Sequence, residues 1–142
     1  MSQKIQEDLN YIIDNKLIKT VFQPIVSLRD GSIFGHEALS RITCKDSIKN
    51  PDQLFTEAAK HNCLWQLELL CRTKALEAAF VHMVPPYNKK LFINVNPYTM
   101  NDESFKRGFT REFLMQYSID PIKFRKLNNT LRFLIMNILK VY

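Results

Sequence analysis

The chain has 142 residues, of which 20 are Lys or Arg and 14 are Asp or Glu, so its formal net charge is +6. Hydrophobic and charged fractions of 46% and 24% are typical of one globular domain and exclude disordered, collagenous and coiled-coil chains. The three cysteines form no CxxC pair, which argues against a disulfide framework or zinc ribbon and favours a reduced, cytoplasmic compartment. No apolar run approaches the ~20 residues of a membrane span, and the polar N-terminus predicts no signal peptide.

The positive charge is concentrated near the C-terminus. Residues 123–142 hold five basic residues and no acidic residue, which leaves 15 basic and 14 acidic residues in 1–122, a net charge of +1. The body of the chain is therefore nearly neutral, and the basic, apolar tail of 124–142 is a different kind of segment. Its composition leaves an interfacial membrane helix open as an alternative, although its basic residues do not segregate to one face. Without aromatic residues interleaved in a basic stripe, neither DNA nor RNA is an expected partner.

The first predicted elements are a helix and a β-hairpin. Apolar residues recur on one helical face between residues 5 and 13. The β-branched and aromatic run of 18–28 predicts a strand, and Asp30-Gly31 predicts the turn into a second, antiparallel strand over 33–42.

Two helices are predicted next. Asn50-Pro51-Asp52 has the N-cap, the first-turn proline and the first-turn acid that open a helix, which should run to about Lys60. A longer helix is predicted from Leu64 to about His82, and its apolar positions include Leu67, Leu70, Cys71, Leu76 and Phe80.

A third strand and a short helix complete the pattern. The apolar run 91–95 predicts a strand buried on both faces, with Asn94 as a buried amide inside it. Thr110 is predicted to cap a helix that extends to about Tyr117. Strands that alternate with helices in this order predict an α/β domain with a mostly parallel sheet.

Three segments of the sequence resemble the first strand motifs of the EAL family, which hydrolyses cyclic di-GMP. They are Phe22-Gln23-Pro24-Ile25-Val26, the segment GHEALSR at 35–41, and Leu91-Phe92-Ile93-Asn94-Val95. The resemblance spans about residues 8–123. It implies a partial (β/α)8 TIM-like barrel of the EAL type, with the first strand antiparallel and about three barrel strands present. The antiparallel first strand agrees with the hairpin that the turn residues predict.

The resemblance also implies a site for a metal ion and a dinucleotide. Glu37 and Asn94 would be metal ligands, offering hard oxygens to Mg²⁺ or Mn²⁺. Arg41 would contact a phosphate of cyclic di-GMP, a role that suits a guanidinium group. Gln23 would lie at the substrate pocket, and Leu39 would line its guanine side.

Other family features are altered or lacking in this sequence. Glu68 stands where the family often has Asp, which leaves its role open. After Lys123 there is no counterpart of the family's Glu-Ile-Thr-Glu or Asp-Asp-Phe-Gly motifs, and no acidic residue follows Asp120. We therefore expect residues 1–123 to be the N-terminal portion of an EAL domain and 124–142 to be unlike the family. The abrupt change of composition is typical of translation in a shifted frame.

The expected function is that of a fragment of a metal-dependent cyclic di-GMP phosphodiesterase. Hydrolysis uses two cations ~4 Å apart, which one Glu and one Asn cannot hold, so the chain is expected to be inactive by itself. Family members often dimerise, but the dimer elements are expected to be missing here. The alternative is a non-catalytic module that binds cyclic di-GMP or another protein.

Overall fold

A computed structural model describes residues 2–44, 47–80, 90–94, 96, 98, 99 and 112. Its elements, in chain order, are α1 (Ser2–Asp14), β1 (Ile18–Val26), β2 (Ile33–Ile42), α2 (Pro51–Lys60), α3 (Leu64–Phe80) and β3 (Lys90–Ile93). The α/β order matches the prediction. The predicted helix over 110–117, apart from Glu112, and the tail of 124–142 lie outside the described residues. Within the described part of the chain, no helix has the length and apolarity that crossing a membrane requires.

Helix α1 packs its predicted apolar face into a core that it shares with α2 and α3. Leu9 and Ile12 are fully buried there, together with Leu54 of α2 and Leu67 of α3. These four leucine and isoleucine side chains come from three helices, and burying each one contributes about 1.5–3 kcal/mol. This core holds the helices together beside the sheet.

Strands β1 and β2 form the predicted antiparallel hairpin. Their register runs from the pair Ile18 and Ile42 to the pair Val26 and Ile33. The connection is longer than a two-residue turn, because the Ser27 N–H donates to the Ser32 carbonyl at 2.8 Å and encloses the residues between them. Gly31 has a φ of +70°, a conformation in which a residue with a side chain would be strained. The first strand therefore ends two residues earlier than predicted.

Helix α2 begins and ends as its sequence predicts. The side-chain oxygen of Asn50 accepts the Gln53 N–H at 2.9 Å, which satisfies one of the free amides of the first turn. Pro51 is the first helical residue, where its missing N–H has no partner to lose. The helix ends at Lys60, and Asn62 follows with a φ of 54°.

The three strands form one sheet in the order β1-β2-β3, in which β2 and β3 are parallel. One of the two strand pairs is thus parallel and the other antiparallel, so the mostly parallel sheet stays a prediction, while the antiparallel first strand is confirmed. The prediction of a third strand buried on both faces is wrong. Leu91 is buried and Ile93 packs beside it on the face that α3 covers, whereas Phe92, on the opposite face, is only half-buried.

Among the described elements, α3 covers one face of the sheet and no helix covers the other. On the covered face, Ala38 and Leu91 pack against Ala75 and Ala79 of α3. Since successive side chains of a strand point to opposite faces, the neighbours of Ala38 lie on the other side. We call the face opposite α3 the open face; its side chains, paired across the register, are those of Lys19, Val21, Gln23, Glu37, Leu39, Arg41 and Phe92.

Candidate functional site

Glu37 and Asn94 meet at the open face. Glu37 lies in the middle of β2, and Asn94 follows the last residue of β3, which is the neighbouring parallel strand. The Nδ2 of Asn94 donates to Oε1 of Glu37 at 2.7 Å. The structure thus brings together the two residues predicted as metal ligands. The prediction that Asn94 is buried inside a strand is wrong, because β3 ends at Ile93 and leaves the amide exposed.

The predicted substrate-contacting residues lie on the same face. Gln23 is the register partner of Glu37 across the hairpin. Leu39 and Arg41 follow Glu37 at alternate positions of β2, so all three side chains leave the sheet in one direction. Arg41 is exposed, and its Nη1 donates to the Ser40 carbonyl at 2.8 Å. Among the residues that the structure describes, this is the one hydrogen bond of the Arg41 guanidinium, and its other donors suit a phosphate.

A second positively charged side chain, which the sequence analysis did not predict at the site, lies beside Arg41. Lys19 of β1 is the direct register partner of Arg41, and both side chains are exposed. Opposed residues of an antiparallel pair have Cβ atoms about 5 Å apart, and like charges at that separation repel. An anion bound between the two would relieve the repulsion. The pairing of Lys19 with Arg41 follows from the register of the hairpin. That register depends on a turn length that the sequence did not predict.

Two aromatic rings border Glu37 on its other side. Phe92 is the register partner of Glu37 across the parallel pair. The ring of Phe34 lies 6.0 Å from the ring of Phe92, measured between centroids. The register passes from the pair Val26–Ile33 directly to the pair Ile25–Gly35, so β2 bulges at Phe34. This bulge brings an extra aromatic side chain to the site.

Glu68 lies buried behind the site and contacts the chain just after Asn94. Only 3% of the residue is exposed. Its Oε1 accepts the backbone N–H of Asn96 at 2.9 Å, and its Oε2 lies 3.5 Å from Nη2 of Arg72. Burial raises the pKa of the Glu68 carboxyl, while the Asn96 N–H and the Arg72 charge oppose that rise. The role that the sequence left open is therefore a contact with the segment that carries Asn94.

Asn96 organises a turn at the end of this segment. Its Oδ1 accepts the N–H of Tyr98 at 3.0 Å, and its carbonyl accepts the hydroxyl of Thr99 at 2.7 Å. Thr99 is almost fully buried, with 1% of its surface exposed. Asn96 is therefore held by hydrogen bonds to Tyr98 and Thr99 as well as by Glu68.

The donor chemistry of the site fits one divalent cation better than two. Glu37 and Asn94 offer hard oxygens, as Mg²⁺ and Mn²⁺ require, and Mg²⁺ commonly keeps several of its water ligands. The amide nitrogen of Asn94 faces Glu37, so a cation shared by both side chains needs the amide to turn over. No group of three or more His, Cys, Asp or Glu side chains that could hold a metal occurs among the described residues.

A family comparison decides what kind of domain carries this arrangement. The model of the EAL domain family matches residues 3–124, which is most of the chain. The chain belongs to the EAL domain family. The motifs at Gln23, Glu37 and Asn94 therefore stand in an EAL sequence, and the predicted family is confirmed.

A solved EAL domain has the same fold. The crystal structure of the Xanthomonas citri FimX EAL domain in complex with c-diGMP matches with a TM-score of 0.65 and 16% sequence identity. The match covers 83% of this chain and 46% of the FimX chain, so this chain spans about half the length of that EAL domain. The partial TIM-like barrel is thereby confirmed as the fold. No curated protein matches the chain.

Proposed function

We propose that this EAL chain contributes the first part of a cyclic di-GMP phosphodiesterase site and binds the dinucleotide on its open face. One observation carries the proposal: Gln23, Glu37, Leu39 and Arg41 share one face of the sheet, and Asn94 reaches the same face by its 2.7 Å contact with Glu37. The FimX EAL domain, which has the same fold, was crystallised with c-diGMP and supports this choice of ligand.

Each part of the dinucleotide has chemically suitable contacts on this face. Arg41 and Lys19 form a pair of exposed cations that suits a phosphodiester, and a guanidinium binds phosphate oxygens through two parallel hydrogen bonds. Leu39 and Phe92 give the face an apolar area against which a guanine can pack. Gln23, exposed beside Glu37, has an amide that can donate and accept hydrogen bonds.

Glu37 and Asn94 would hold the cation. When bound there, Mg²⁺ or Mn²⁺ supplies Lewis-acid stabilisation of phosphate charge. The chain's own residues orient the dinucleotide: Arg41 binds its phosphate, and the apolar residues fix its base. The described residues bring no further carboxylate to this face and so do not complete a two-cation site, and we propose that the chain binds cyclic di-GMP without hydrolysing it.

The alternative function is a module that uses the hairpin end of the sheet to bind another protein. The observation that favours it is the exposure of apolar side chains at the hairpin end of the sheet, where Leu28 is fully exposed and Val26 and Phe34 are each about half exposed. A protein partner would cover these side chains, whereas cyclic di-GMP would contact the residues around Glu37.

Isothermal titration calorimetry with cyclic di-GMP and Mg²⁺ tests the proposal. The variant Arg41→Ala should weaken binding about tenfold, because a charge-assisted hydrogen bond contributes about 1.5–3 kcal/mol. The matched control is Arg29→Ala, which removes an exposed arginine from the hairpin turn, away from the site. Equal affinities for Arg41→Ala and Arg29→Ala would count against the open face as the binding surface.

A chromatographic assay tests the absence of hydrolysis. The purified chain with Mn²⁺ should release no linear dinucleotide from cyclic di-GMP. Release of that product by the wild-type chain, and its loss in Glu37→Ala, would show that the chain is an active phosphodiesterase and overturn this part of the proposal.

A further inference from the structure

From the contacts behind the open face, we infer that Glu68 is a positioning residue: it holds the segment after β3 so that Asn94 faces Glu37. Nothing in the sequence assigns this role, since Glu68 lies on α3, 26 positions before Asn94. The importance of the contact for a bound cation rests on the proposed function. The contact itself does not.

The backbone on either side of Asn94 is held by the rest of the fold. Upstream of Asn94, β3 pairs with β2, and Ile93 is the register partner of Ala38. Downstream, the backbone N–H of Asn96 donates to Oε1 of Glu68 at 2.9 Å. Asn94 therefore lies between two fixed points, two residues before the second of them.

The Glu68 side chain is itself held in place by its neighbours. Its carboxylate is buried on the side of α3 that faces the sheet, and its second oxygen lies 3.5 Å from Nη2 of Arg72, one helical turn further on. The guanidinium carbon of Arg72 lies 5.8 Å from the centre of the Trp65 ring. A carboxylate held by a partly buried arginine, which itself lies over an aromatic ring, can transmit the position of α3 to the backbone it binds.

The position of Asn94 depends on the hydrogen bond between the Asn96 N–H and Glu68. Its amide is exposed, and its contact with Glu37 is a hydrogen bond at a solvent-accessible edge. Such a bond contributes only about 0.5–1.5 kcal/mol, which is too little to order a free loop against its conformational entropy. The buried bond to Glu68 restricts the backbone, so that the exposed bond can form.

Nuclear magnetic resonance on the ¹⁵N-labelled full chain measures the effect without any ligand. The readout is the side-chain amide pair of Asn94, assigned by its disappearance in Asn94→Asp. In Glu68→Ala, hydrogen exchange of this amide should become about tenfold faster, as expected if the exposed bond loses about 1.4 kcal/mol. In Glu68→Gln it should stay close to wild type, because the glutamine oxygen can still accept the Asn96 N–H.

Two control variants separate positioning from general stability. Glu77→Ala removes an exposed carboxylate from the same helix and should leave Asn94 unchanged. Leu70→Ala removes a partly buried side chain of α3 and should lower the melting temperature without changing the Asn94 amide. If Leu70→Ala changed that amide as much as Glu68→Ala did, or if folded Glu68→Ala left it unchanged, the inference would be wrong.

A second measurement keeps the test decisive if Glu68→Ala fails to fold. The backbone N–H of Asn96 should exchange at least about tenfold more slowly than a free amide in wild type and in Glu68→Gln, because it donates to a buried side chain. Exchange at the rate of a free amide in wild type would overturn the inference.

The cation readout is separate. With Mn²⁺ as the probe, the concentration that half-broadens the Asn94 amide should rise about tenfold in Glu68→Ala. A wild-type amide that Mn²⁺ does not broaden would contradict the proposed cation site, while the ligand-free measurements would still decide the role of Glu68.

Discussion

Glu68 shows how a single buried carboxyl connects pH to the stability of the fold. Its pKa is raised above the ordinary value of 4.5, and the first cause is burial, which disfavours the charged form. Between the ordinary pKa and the raised one, the folded chain binds more protons than the unfolded chain. The free energy of unfolding therefore falls as the pH rises through this interval.

Glu68→Gln removes this titration. We expect the free energy of unfolding of Glu68→Gln, relative to wild type, to increase as the pH rises from 4.5 towards neutrality. Urea unfolding of both proteins over this pH range measures the difference. A difference that stays constant or decreases with pH would show that Arg72 and the Asn96 N–H outweigh burial.

At the residue scale, the site could be predicted where the residue type and the strand pattern agree. Glu37, Leu39 and Arg41 alternate along one strand, so their common face follows from the sequence once the strand is assigned. Asn94 could not be placed, because the end of β3 depends on its pairing with β2. Lys19 was also not predicted, because its position opposite Arg41 depends on the register of the β1–β2 hairpin.

At the scale of elements, α2 is the clearest case in which local sequence determines structure. The Asn50 cap, the following proline and Asp52 in the first turn all agree with the helix that forms. We expect Asn50→Ala to lower the free energy of unfolding by about 1 kcal/mol, because a backbone N–H of the first turn loses its acceptor. Chemical denaturation measures this loss.

Asn50→Asp is the matched control, since aspartate is as good an N-cap as asparagine. It should keep most of the stability that Asn50→Ala loses. Equal losses in the two variants would mean that the cap contributes through some contact other than the hydrogen bond to Gln53.

Element boundaries were harder to predict than the elements themselves. β1 ends at Val26 rather than at residue 28, because the hydrogen bond from the Ser27 N–H to the Ser32 carbonyl closes a wider turn. β3 ends at Ile93, where pairing with β2 stops. The first end is set by a contact within the turn and the second by pairing between strands distant in sequence, and the periodicity of the sequence encodes neither.

At the scale of the whole molecule, the covered and open faces of the sheet differ in what they can do. Helix α3 packs on one face and builds a core with Ala38 and Leu91. The open face presents Glu37, the two opposed cations Lys19 and Arg41, and apolar side chains. The family and the barrel type could be predicted from the sequence motifs, while this division required the packing of α3.

A titration of the ¹⁵N-labelled chain with cyclic di-GMP and Mg²⁺, followed by nuclear magnetic resonance, tests most directly whether the open face binds the dinucleotide. We expect chemical-shift changes at Gln23, Glu37, Leu39, Arg41 and Asn94, with little change at the exposed residues of α3. GMP at the same concentration serves as the comparison ligand. An absence of shifts at millimolar cyclic di-GMP, or shifts centred away from the open face, would contradict the account.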